Sequence, residues 1–133
     1  MNKLLIDTSV WINVFKGNYT NASNYLRNSL ANTLIATCPV IVQKVLQGLN
    51  TDADFIKLKQ FFEELLCLKN DPYQLSIEAA SLYRSLRKEG ITIRKPNDCL
   101  IAAYAIKNNL ALLHDDKDFE YIAAGSSLKT IKF

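Results

Sequence analysis

Short apolar runs alternate with longer stretches of helical periodicity along almost the whole chain. Residues 3–6 form a short apolar run, and Val10, Trp11, Val14 and Phe15 then fall on one helical stripe, which predicts a strand, a turn and a helix. Gly17 and Asn18 punctuate, and Ala22, Tyr25, Leu26 and Ser29 recur at helical spacing. A second strand is predicted over 34–38, stopped by Pro39, which opens a helix running to about Gly48. Thr51 or Asp52 caps the next helix, striped by Phe55, Leu58, Phe62, Leu65 and Leu66, and residues 67–69 read as a third strand. After Asp71-Pro72, residues 75–88 carry Leu75, Ala79, Leu82, Tyr83 and Leu86 on one face, and Gly90 ends that helix. Lys95-Pro96-Asn97-Asp98 opens a helix whose interior, 100–106, is almost wholly apolar and therefore mostly buried. A fourth strand over 110–113, a short helix over 117–124 and a last strand over 128–133 complete the pattern. The expected fold is α/β: one domain over 1–133, a three-layer α/β/α sandwich with a short, mostly parallel central sheet and right-handed crossovers.

Composition narrows the class. At 133 residues, with 49% hydrophobic and 22% charged positions and four glycines, the chain is an ordinary globular sequence that buries about two-thirds of its surface on folding. Cys38, Cys67 and Cys99 each sit in an apolar run and form no CxxC pair, so they read as buried thiols of a reducing cytoplasm. The first apolar stretch is broken by Asp7 and has no small-residue cleavage site, and no run approaches the ~20 apolar residues of a membrane span. A cytoplasmic protein without membrane contact is expected. The net charge of +3 permits a nucleic-acid partner without requiring one.

The candidate chemistry lies at strand ends. In an open parallel sheet ligands gather outside the carboxyl ends of the strands. Asp7 follows the first strand in Leu-Leu-Ile-Asp-Thr-Ser, and Asp115, Asp116 and Asp118 follow the fourth in Leu-Leu-His-Asp-Asp-Lys-Asp-Phe. Asp98 occupies the first turn of the apolar helix, where the positive end of the helix dipole favours its ionised form. Taken singly, each is an ordinary cap or solvated turn. Converging, they repel unless a proton or a cation lies between them, and hard oxygen donors select Mg²⁺ or Mn²⁺. Such an ion beside a phosphate serves phosphodiester cleavage.

Leu5-Ile6-Asp7-Thr8-Ser9-Val10-Trp11-Ile12, Asn97-Asp98-Cys99-Leu100-Ile101-Ala102-Ala103 and Leu113-His114-Asp115-Asp116-Lys117-Asp118-Phe119 together resemble the three acidic motifs of the PIN-domain ribonucleases, most closely the VapC-type toxins of bacterial toxin-antitoxin pairs. The resemblance covers the whole chain, including Thr92-Ile93-Arg94 before the second motif. It implies a Mg²⁺- or Mn²⁺-dependent endoribonuclease, usually a homodimer neutralised by a small antitoxin. It also implies Asp7 and Asp98 as principal metal ligands, Asp116 as the third and Asp118 as a nearby auxiliary. One position departs from it. Where family members carry Gln-Glu-Val-Leu-Gln-Gly with a further acid of the site, this chain reads Gln43-Lys44-Val45-Leu46-Gln47-Gly48. The fold expectation is untouched, but Lys44 sets a weakened nuclease, or a degenerate PIN domain that binds an antitoxin or RNA, beside the active enzyme.

Smaller signals complete the picture. Thr8 and Ser9 are placed to orient the Asp7 carboxylate or to cap the next helix. Arg84, Arg87, Lys88, Arg94 and Lys95 gather charge near the second motif, suited to an RNA backbone or simply to a solvated helix end. His114 reads as a hydrogen-bonding side chain rather than a general base. Trp11, Phe15, Phe61 and Phe62 read as core or dimer contact rather than base-stacking residues.

Overall fold

The computed structural model describes residues 2–133. Five strands, β1 (Asn2–Ile6), β2 (Thr33–Thr37), β3 (Leu66–Cys67), β4 (Ala111–Leu113) and β5 (Lys129–Thr130), form one sheet in the order β3-β2-β1-β4-β5. Every pairing is parallel, as crossover helices require: Leu4 aligns with both Ile35 and Ala111, and Leu5 with both Ala36 and Leu112. Between the strands run α1 (Thr8–Phe15), α2 (Asn21–Ser29), α3 (Pro39–Gln47), α4 (Asp52–Glu63), α5 (Pro72–Lys88), α6 (Pro96–Lys107) and α7 (Asp118–Ala124). No helix among the described residues is long and apolar enough to cross a membrane.

Local sequence accounts for most boundaries. Pro39, Pro72 and Pro96 open α3, α5 and α6, where the missing N–H costs nothing. Thr20 and Ser23 form a reciprocal capping box on α2, Thr51 caps α4 through the Asp54 N–H, and Gly90, at φ +86°, ends α5 in the left-handed region that glycine enters without strain. The outer strands are shorter than their apolar runs: β3 occupies Leu66–Cys67 rather than 67–69, and β5 only Lys129–Thr130 rather than 128–133. An outer strand is held on one side, and the chain leaves the ladder as soon as packing directs it elsewhere.

The core lies on both faces of the sheet, with Leu5, Ile6, Ala36, Leu112 and Leu113 wholly buried between α1, α3, α6 and α7. Helix α6 is the most enclosed, with Cys99, Ile101, Ala102 and Ala105 at 1% exposure or less. Cys38 and Cys99 are buried as expected, but Cys67 is only half-buried, because β3 is an edge strand. Trp11 and Phe62 are core residues, each in edge-to-face contact with a neighbouring ring, while Phe15 and Phe61 remain 38% exposed beside them.

Candidate active site

The sheet order reverses at β1, whose chain moves to β2 on one side and receives β4 on the other. Such a reversal opens a crevice at the carboxyl ends of the two central strands. Asp7 stands at the end of β1, its N–H donating to Leu113 O (2.9 Å), and residues 114–118 leave the end of β4 across the crevice. The first turn of α6 delivers Asp98 from above. The fold thus brings three segments, distant in the chain, to one edge.

Carboxylate oxygens of Asp98, Asp116 and Asp118 lie within 4.8 Å of one another. Asp7 lies outside that tight group yet raises the Asp98 pKa by its charge. The carboxylates of Asp7, Asp98 and Asp118 are buried; Asp116 is the more open member. Burial first, and then the charges of Asp7 and Asp116, push the Asp98 carboxyl up to about 7, against the opposing pull of Lys44 and Lys95. Asp116 moves the other way. Burial would raise it, but the hydrogen bond from Lys95 Nζ (2.7 Å), the Asp118 N–H and the charges of Lys95 and Arg94 hold its carboxyl below the ordinary value.

Each acid of the tight group faces a cation. Lys95 Nζ is 2.7 Å from Asp116 Oδ2, Arg94 is 3.6 Å from Asp118 Oδ1, and Lys44 Nζ is 4.0 Å from Asp98 Oδ1. Lys44, on the inner face of α3, therefore reaches the pocket despite its sequence distance from every acid. Arg84, Arg87 and Lys88 do not. They are exposed along the last turns of α5, outside any ion pair among the described residues; Arg87 lies over the Tyr83 ring at 5.7 Å, and Arg84 lines a surface groove with Tyr83, Pro96 and Asn97.

Hydrogen bonds hold the pocket's rim. Asp7 caps α1, and its Oδ2 accepts from both the N–H (3.0 Å) and the hydroxyl of Ser9. Thr8 is buried, with a hydroxyl that has no partner. His114 Nδ1 accepts from the Asp116 N–H (3.2 Å), and its Nε2 donates to Glu120 (2.9 Å), so it shapes the loop as a hydrogen-bonding residue. Two features escaped the sequence reading: the partners of Asp115, whose carboxylate bonds Asn13 and Thr20, and Thr37, whose buried hydroxyl at the end of β2 is unpartnered. The position of Thr37 on the strand's last residue was the available signal; nothing in the sequence marked the partners of Asp115.

A divalent cation suits this donor set. Asp7 Oδ1, Asp98 Oδ2 and Asp118 Oδ2 are buried acceptors without a donor, which is costly unless something positive meets them. All are hard carboxylate oxygens. A sequence profile of the PIN domain matches residues 4–125. The chain belongs to the PIN-domain family. Among PIN-domain relatives, VapC ribonuclease Mb1587 of Mycobacterium bovis and ribonuclease VapC11 of Mycobacterium tuberculosis are each 35% identical over 132 residues, covering 98% of both chains. Among solved structures, VapBC2 of Rickettsia felis bound to a promoter DNA fragment superposes with a TM-score of 0.76 at 18% identity, over 98% of each chain. The DNA-bound VapBC of Salmonella typhimurium does so with a TM-score of 0.76 at 20% identity, also over 98% of each. These structural likenesses are of the PIN fold.

Proposed function

We propose that this PIN domain is a divalent-metal-dependent endoribonuclease, the toxin of a cytoplasmic toxin-antitoxin pair, with Asp7, Asp98 and Asp116 as metal ligands and Asp118 beside them. The observation that carries the reading is the convergence of buried, donorless carboxylate oxygens at the sheet's reversal point. The ribonuclease names of relatives 35% identical over nearly the whole chain support the substrate class. When bound, Mg²⁺ or Mn²⁺ would supply charge stabilisation to a phosphodiester and its attacking water. The protein's own residues do the rest. Ser9 fixes the Asp7 carboxylate with one oxygen left free, and Arg94 and Lys95 stand at the mouth of the pocket, where a phosphate can take their charge from Asp118 and Asp116. Arg84, Arg87 and Lys88 extend the positive surface for the RNA backbone.

Lys44 favours a second reading, in which its ammonium takes the place of a cation beside Asp98 and leaves a binding module of reduced activity. The partner surface would be the same in either case. A cavity of about 400 Å³ between α1, α3 and α4, lined by Ile12, Phe15, Val45, Leu49 and Leu58 and rimmed by Lys16 and Lys57, offers exposed apolar area to an antitoxin. Incubating the protein with total RNA, with and without Mn²⁺, tests the enzyme reading. Cleavage that needs the metal and disappears in Asp98→Asn supports it, and intact RNA under all conditions leaves the binding module.

A further inference from the structure

Asp115 is exposed and lies outside the tight acidic group, yet its carboxylate ties the loop after β4 to two helices far from it in the chain. Its Oδ2 accepts from Asn13 Nδ2 on α1 (2.8 Å) and from Thr20 Oγ1 at the cap of α2 (2.7 Å). Both donors are themselves fixed. Asn13 Oδ1 accepts from Asn18 Nδ2 (3.0 Å), which turns its amide nitrogen toward Asp115, and Thr20 Oγ1 accepts from the Ser23 N–H (2.9 Å), which leaves its proton for Asp115. The Asp115 N–H in turn donates to Ser9 Oγ (2.9 Å). A hydroxyl that receives a donor on its lone pair directs its own proton elsewhere, and here that proton goes to Asp7 Oδ2.

We propose that Asp115 is a positioning residue: its carboxylate pins the 114–118 loop to α1 and α2, and through its backbone N–H and Ser9 this sets the orientation of Asp7 while holding Asp116 in place. The role rests on the metal-site reading above only in what the tether serves. The tether itself is a property of the protein without metal. It differs from a ligand role in one respect: both donors meet a single oxygen, so one amide oxygen replaces it and the negative charge is dispensable.

The test uses the full chain with Asp115→Ala and Asp115→Asn, each checked for an unchanged circular dichroism spectrum, and Mn²⁺ alone as the probe, followed by the spin-resonance signal of the free ion. Loss of the tether in Asp115→Ala is expected to weaken Mn²⁺ binding about tenfold, whereas Asp115→Asn stays within about twofold of the parent. An Asn variant as weak as the Ala variant would show that charge matters rather than the tether, and an Ala variant with the parent's affinity would also overturn the proposal. Amide hydrogen exchange at Asp115 and Asp116 gives a second readout without metal. Faster exchange in Asp115→Ala with recovery in Asp115→Asn is expected, and unchanged exchange in Asp115→Ala overturns the proposal. Should the parent take up no Mn²⁺, the metal reading fails while exchange still decides the tether.

Discussion

Replacing Lys44 with glutamate reverses a charge 4.0 Å from Asp98 Oδ1, on a side chain 27% exposed. Unit charges at that distance interact by about 4 kcal/mol at an effective dielectric of ~20. Lysine relaxes readily, because its flexible stem can carry the ammonium toward solvent. The reversal changes the charge by two units, about 8 kcal/mol on that scale; if a sixth to a third of it survives, the change is on the order of 1.4 to 2.8 kcal/mol, roughly 10- to 100-fold in a dissociation constant. The sign follows from the charges: ammonium repels a divalent cation held by Asp98, and carboxylate attracts it. Calorimetric Mg²⁺ titration should therefore show Lys44→Glu binding more tightly than the parent, with Lys44→Met, which keeps the stem and drops the charge, in between. RNA cleavage should rise in the same order. Equal Mg²⁺ affinity and equal cleavage in the parent and Lys44→Glu would refute the argument that Lys44 governs the pocket's charge.

Asp98 holds its proton up to about 7, against 3.8 for an ordinary aspartate, so between those values the folded, metal-free protein binds more protons than the unfolded chain, and stability falls as pH rises through that window. The melting temperature of the metal-free protein should drop from pH about 5 to about 8, with Asp98→Asn flattening the slope; an unchanged slope in that variant would place the titration elsewhere. Neutralising Arg87 and Arg94 together should weaken binding of many RNAs alike and lower the salt slope by about 1.4, as expected for two single-strand phosphate contacts; an intact slope would make them ordinary surface. In Gly125→Ala the new Cβ would stand 2.6 Å from Cδ2 of the fully buried Leu86, so a loss of about 1–3 kcal/mol is expected in urea unfolding, and unchanged stability would mean that α7 yields freely at its end.

Strand and helix order was legible because β1, β2 and β4 are short apolar runs followed at once by a cap or a turn, and the site because Asp7 and residues 115–118 follow buried strands while Asp98 lies in the first turn of a buried helix. Periodicity reports which face of an element is buried, and that is enough to place a carboxylate at a sheet edge. It does not report which side chains meet. The tight grouping of Asp118 with Asp98 and Asp116, the ion pairs of Arg94 and Lys95, and the reach of Asp115 to Asn13 and Thr20 depend on rotamers and loop paths over separations as large as 102 residues. The basic stretch shows the same limit. Five cations close in sequence divide into two at the pocket and three along α5, because the turn at Gly90 redirects the chain between them. Strand length failed at the edges for a related reason: Leu66–Cys67 and Lys129–Thr130 each have one neighbouring strand, so the ladder ends before the apolar run does.

The claim on which the rest depends is that the acidic pocket at the β1–β4 crevice holds a divalent cation. The most direct measurement is an anomalous difference map from a crystal of the parent protein soaked in Mn²⁺. The expected result is a peak bounded by Asp98, Asp116, Asp118 and Asp7, with Lys44 or Lys95 displaced from its carboxylate. A map with no peak there at saturating Mn²⁺, and with both lysines still paired to Asp98 and Asp116, would contradict it.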